Sequence, residues 1–178
     1  MCEDNFYFPA GMNDTYSMNY FELYDIPVSL YVDPAMIKQK FYALSRKYHP
    51  DFFTNGTEQE QEEVLERSSM VNKAFKTFSN PDHTIKYVLQ LKGLLEEEEK
   101  YQLPPDFLME MMELNEQLEE NPAETSKNID QLSTQIYEPV KKIVEQYQEG
   151  AVSEKELLRV KEYYYKKKYL NRILAGMK

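Results

Sequence analysis

Apolar residues recur at steps of three and four along most of this chain, and that period limits the fold more than any single residue does. Ile37, Phe41, Leu44 and Tyr48 fall on one face of a helix, as do Val64, Leu65, Ser68, Val71, Phe75 and Phe78 farther on. Such a pattern favours an all-α protein over a sheet protein. The scarcity of glycine, 5 in 178 residues, agrees with it.

Prolines, glycines and caps divide the pattern into elements. A short helical stretch begins near Asn19 and gathers Tyr20, Phe21, Leu23 and Tyr24. Asp33 is placed to cap the next helix, and Pro34 suits its first position, where a missing N–H costs nothing. Pro50 ends that helix, because the residue before a proline is pushed out of the helical region. The stretch 51–57 reads as a polar loop with Asn55-Gly56 as its turn signal, although Phe53 is expected in the core. A long helix is predicted over 58–78 and is broken by Asn80-Pro81. A shorter one carries Ile85, Val88 and Leu89 and is closed by Gly93.

The charged run from Glu96 to Lys100 reads as a solvated linker. Pro104-Pro105 then opens a helix to about Glu120, and Asn121-Pro122 stops it. Another helix is predicted from about Ala123 to Gln148, kinked at Pro139. Ser153 and Glu156 form a capping box for a last helix to about Leu174. The predicted organisation is a tail over 1–18, a first domain over 19–95, a linker over 96–104 and a second domain over 105–178. Short connections between the three helices of the second domain predict an antiparallel bundle.

The formal net charge is −10, which argues against nucleic-acid binding by bulk electrostatics, since phosphates reward a basic surface. Cys2 is the sole cysteine, so neither an intramolecular disulfide nor a cysteine-based zinc site can form. The first fifteen residues hold no Lys or Arg and no long apolar run, which argues against a secretory signal or a basic transit peptide. No apolar run reaches the length needed to cross a bilayer. The expectation is a soluble, cytoplasmic protein that is not an enzyme and needs no metal or cofactor.

One local reversal of charge stands out. From Ala35 to Pro50 there are four cations, Lys38, Lys40, Arg46 and Lys47, and no acid. The stretch leads directly into His49-Pro50-Asp51. The histidine and aspartate could form half of a catalytic triad or part of a metal site. However, no Ser or Cys nucleophile is suitably placed, and the only other histidine is His83, which reads as a helix-start or surface residue. The basic stripe could equally be a solvated face or a contact for anionic lipid.

The order of a short helix, a basic helix, a His-Pro-Asp loop and a long returning helix resembles that of the J domain. Tyr20-Phe21-Glu22-Leu23-Tyr24, Phe41 to Tyr48, Asn72-Lys73-Ala74-Phe75 and Pro81 are similar to that family's landmarks. The resemblance implies a binding role toward an Hsp70-type chaperone. The basic helix, with Lys38, Lys40, Arg46 and Lys47, would dock on an acidic surface of the chaperone. His49, Pro50 and Asp51 would act at its ATPase domain and interdomain linker. Phe52 departs from the family, where a lysine commonly follows the tripeptide.

The helix predicted over 105–120 has two distinct faces. At about 100° per residue, Phe107, Met111, Leu114 and Leu118 fall within about 60° of one another and suffice to pack it. Met109, Met112, Glu113, Glu116 and Glu120 fall on the opposite side, with Leu108 at its edge. From composition alone, an ordinary exposed face carrying two methionines is the simpler reading. Methionine among carboxylates also suits adaptable protein recognition.

Here the run Phe107-Leu108-Met109-Glu110, followed by Met112, Glu113 and Glu116, resembles the corresponding helix of the HscB family. These are J proteins that recruit the iron–sulfur scaffold protein IscU to a specialised Hsp70. The resemblance spans residues 19–174 and implies a J domain and a three-helix bundle in an L-shaped arrangement. It assigns scaffold binding to Leu108, Met109, Met112, Glu113, Glu116 and Glu120, with Tyr165 on the last helix as the matching aromatic. Tyr165 also shares a stripe with Leu158, Tyr169 and Ile173, which could be core. The expected partners are an HscA-like or DnaK-like Hsp70 and an IscU-like scaffold. The alternative is a general J-domain co-chaperone with a different client.

Overall fold

The computed structural model describes residues 18–176. Among them the regular structure is entirely helical: α1 (Tyr20–Leu23), α2 (Pro34–Lys47), a 3-10 turn (Pro50–Phe53), α3 (Glu58–Phe78), α4 (Pro81–Leu91), α5 (Pro105–Glu120), α6 (Pro122–Glu145) and α7 (Glu154–Gly176). The caps follow from local chemistry. Asn19 and Glu22 close a capping box on α1. The Ala35 N–H donates to Asp33 Oδ1 at 3.0 Å at the start of α2. Thr57 with Glu60 and Ser153 with Glu156 form capping boxes at α3 and α7, satisfying N–H groups that a helix start leaves unpaired. Gly93, at φ +67°, ends the segment after α4 in a conformation that glycine adopts without a Cβ clash.

Two compact units are present. The first joins the described residues up to Pro27 with Lys40–Ala74. Its buried side chains include Phe21, Leu23, Tyr24, Tyr48, Val64, Val71 and Ala74. The Tyr24 hydroxyl donates to the Val71 carbonyl at 2.9 Å, and burial pushes this phenol well above its ordinary pKa. Leu65, expected on the apolar stripe of α3, is 57% exposed, while Ala74 is fully buried. The arc centred on Val64, Val71, Ala74 and Phe78 explains this, since Leu65 lies about 140° from its middle. Phe53, expected in the core, is half-buried.

The second unit joins Val28–Gln39 with the residues from Phe75 onward, so the segment 96–104 lies within it. Phe107, Met111, Leu114, Ile129, Leu132 and Leu170 form one apolar cluster in it, with Leu103, Ile136, Tyr169, Ile173 and Leu174 packed around them. α6 runs antiparallel to α7: Tyr137 meets Tyr163 at 5.5 Å between ring centroids, and Arg159 donates to the Pro139 carbonyl at 2.8 Å. α6 passes through Pro139 and ends at Glu145, earlier than expected, although Tyr147 beyond it is still buried.

α4 packs on α7, where Lys167 pairs with Asp82 at 2.6 Å and Asn171 donates to the same carboxylate at 3.3 Å. The buried hydroxyls of Thr84 and Thr125 are both satisfied by backbone carbonyls, so neither leaves an unpaired polar atom in the core. The Glu96–Lys100 run is more than a solvated linker, because Glu99 pairs with Lys161 at 2.5 Å.

Tyr24→Phe keeps the ring and removes one buried hydrogen bond. It should lower unfolding free energy by about 1 kcal/mol. A urea titration should show the midpoint falling with an unchanged slope, and an unchanged midpoint would contradict this role for the hydroxyl.

Candidate functional site

α2 stops at Lys47, and Tyr48 and His49 leave the helix. Pro50 supplies the first residue of the 3-10 turn, which returns the chain toward α3. The Asp51 N–H donates to His49 Nδ1 at 3.3 Å. With Nδ1 turned to the Asp51 N–H, Nε2 is the ring nitrogen left for another molecule. The Asp51 carboxylate lies 3.7 Å from Nδ1, and the side chains are 51% exposed for His49 and 83% for Asp51. An imidazole and a carboxylate therefore stand at the surface of a turn fixed by proline.

The cations of α2 divide into two groups. Lys38, Arg46 and Lys47 are exposed. Lys40 is half-buried, donates to the Asp25 carbonyl at 3.0 Å and approaches the Asp25 carboxylate at 3.9 Å. Asp25 holds a positive φ of 48°, so Lys40 ties down a backbone position that a non-glycine residue rarely adopts. The helical spacing of i, i+4 and i+8 puts exposed Tyr42 in one row with Lys38 and Arg46. Phe52 is also exposed, with its ring 5.7 Å from that of His49. Sequence reasoning passed over Tyr42; its place in the Lys38 to Arg46 row was the available signal.

α5 separates its methionines by face. Met111 is 1% exposed and belongs to the bundle core. Met109 and Met112 are 61% and 63% exposed. Glu113, Glu116 and Glu120 are exposed as well, and Leu108 is half-buried at the edge. Tyr165 of α7 is half-buried and borders the same groove as Leu108. Burial, with the Glu99 carboxylate nearby, pushes its phenol up to about 12. Among the described residues no cluster of three or more His, Cys, Asp or Glu could hold a metal, and no helix is long and apolar enough to cross a membrane.

The chain resembles known proteins over most of its length. Residues 103–178 match the family model described as the HSCB C-terminal oligomerisation domain. A co-chaperone protein HscB homolog of Shewanella pealeana is 36% identical over 146 residues, covering 82% of this chain and 80% of the relative. The chain belongs to the HscB co-chaperone family. An HscB homolog of Vibrio cholerae is 35% identical over 103 residues, a stretch that covers 57% of this chain and 60% of that relative. Among solved structures, human co-chaperone HscB aligns at a TM-score of 0.78 and 28% identity, covering 99% of this chain and 90% of that one. Chaperone HscB from Vibrio cholerae aligns at 0.65 and 27% identity, covering 90% and 95%.

Within this HscB-type bundle, adjacent methionines should behave oppositely when truncated. Met111→Ala should cost about 2–5 kcal/mol of stability. Met112→Ala should change it by no more than about 0.5 kcal/mol. Chemical denaturation of the two variants checks this, and equal losses would contradict the assignment of faces.

Proposed function

We propose that this protein stimulates the ATPase of an Hsp70-type chaperone through His49, Pro50 and Asp51, and delivers an IscU-type iron–sulfur scaffold to it on α5. The observation that carries the reading is the exposed imidazole and carboxylate on a proline-fixed turn, directly after a helix with exposed cations. Residues 19–95 would serve as the J domain and 105–178 as the scaffold-binding domain.

The chemistry of the first surface is recognition. The Asp51 carboxylate can accept charge-assisted hydrogen bonds from an arginine of the chaperone. His49 Nε2–H can donate to a second group, and Pro50 holds the two at a fixed separation. Lys38, Arg46 and Lys47 would steer an acidic surface into register, contributing to encounter rate more than to affinity. Lys40, committed to Asp25, would act mainly by keeping the start of the domain in shape. On the second surface, Met109 and Met112 supply apolar contact that can adapt to a partner, and Glu113, Glu116 and Glu120 select for basic groups around it. Hydrolysis takes place on the chaperone, and this chain brings its client there.

Asp51→Asn should reduce the stimulated rate to that of the chaperone alone in a steady-state ATPase assay, while scaffold affinity is retained. Full stimulation by the variant would overturn the mechanism. Met109→Ala combined with Glu113→Ala should weaken scaffold binding by about tenfold or more, with stimulation in the absence of scaffold retained. Unchanged affinity by calorimetry would remove α5 from the interface.

A further inference from the structure

The segment from Glu99 to Pro105 and the face of α7 from Tyr165 to Arg172 border an open groove of about 910 Å³. One wall is aromatic. The Tyr101 ring lies flat against Tyr165, with centroids 4.5 Å apart and planes within 2° of parallel. A cation flanks each ring: Lys161 lies 5.7 Å from the Tyr101 centroid and Lys168 5.9 Å from that of Tyr165. The segment is anchored at both ends, by the Glu99–Lys161 pair and by Leu103 against the bundle core.

That pair also settles the charge of the groove. Glu99 is its only carboxylate and is neutralised by Lys161. Lys100, Lys168 and Arg172 remain, all exposed, and none forms an ion pair among the described residues. Leu108 of α5 borders the groove too, so it continues directly from the face that carries Met109 and Met112. The combined surface is bipolar, with carboxylates along α5, cations along α7, and Leu108 with Tyr165 at the seam.

We propose that this groove takes an acidic segment of the scaffold protein. An apolar or aromatic side chain of that segment would rest on the Tyr101–Tyr165 stack, and a neighbouring carboxylate would be held by Lys168 and Arg172. The inference rests on the reading that α5 faces the scaffold. Charge complementarity selects the occupant: a neutral or basic segment would leave three cations uncompensated, and a polyanion would be repelled by the α5 carboxylates beside it. Tyr101 then takes part in the contact and also holds Tyr165 in place.

The test measures affinity of the full chain for the IscU-type scaffold of the same organism by calorimetry. Lys168→Glu with Arg172→Glu should weaken binding by about tenfold or more. Lys127→Glu with Lys155→Glu, an equal charge change at exposed sites outside the groove, should stay within about twofold of the parent. Tyr101→Ala should weaken binding by about fivefold and Tyr101→Phe should restore it, since stacking survives loss of the hydroxyl. Equal weakening by both charge reversals would overturn the proposal in favour of bulk charge. If Met112→Ala weakens binding while the Lys168 and Arg172 reversal does not, the groove is excluded and the α5 reading stands. If neither weakens binding, both fall together.

Discussion

A proline that cannot continue a helix sets the geometry on which the first surface depends. Pro50 has no N–H to donate to the turn before it, and its ring fixes φ. α2 therefore ends at Lys47, and the four residues from Pro50 to Phe53 form a 3-10 turn instead of a loose loop. The Asp51 N–H then finds His49 Nδ1 as its acceptor, which closes the turn. Neither side chain is needed for the apolar core. Both stay available for another molecule, beside a helix whose exposed charges are positive in a chain that is otherwise acidic.

The second unit obtains two surfaces from one helix by geometry alone. A step of about 100° per residue separates Met111 from Met112, so one is core and the other is surface. α7 solves a harder problem. It packs against α4 and α6 and contributes Leu170, Tyr169, Ile173 and Leu174 to the cluster around Phe107. Burial is therefore spread around the helix, and tyrosines with lysines serve where a one-sided apolar stripe would not. Their rings cover apolar neighbours, while hydroxyls and ammonium groups reach carboxylates such as Asp82 and Glu99.

Elements whose ends are set by local chemistry were legible in the sequence. α2, α3 and α5 start and stop at the capping residues and prolines that mark them, and the two faces of α5 fall where the period puts them. What escaped the sequence depends on partners far along the chain. Lys40 looks like another cation of α2 until Asp25 meets it. Glu99 looks like part of a solvated run, yet its partner is sixty-two residues away. The Tyr101–Tyr165 stack has no local signature, because nothing in a helical period says which exposed aromatic a linker will cover. Leu65 failed for a different reason: a stripe drawn through neighbouring apolar positions was wider than the arc that α3 buries.

The proposed function requires that client recognition and chaperone activation act from one molecule. The most direct measurement is complementation in trans. His49→Gln disables the first surface, and Met109→Ala with Met112→Ala disables the second. Chaperone ATPase activity is recorded at limiting scaffold concentration with the two defective chains mixed. The account predicts that adding scaffold to the mixture gives no more activity than the chain with the intact turn gives alone. A mixture that matches the parent chain would contradict it, showing that the two surfaces work without being joined.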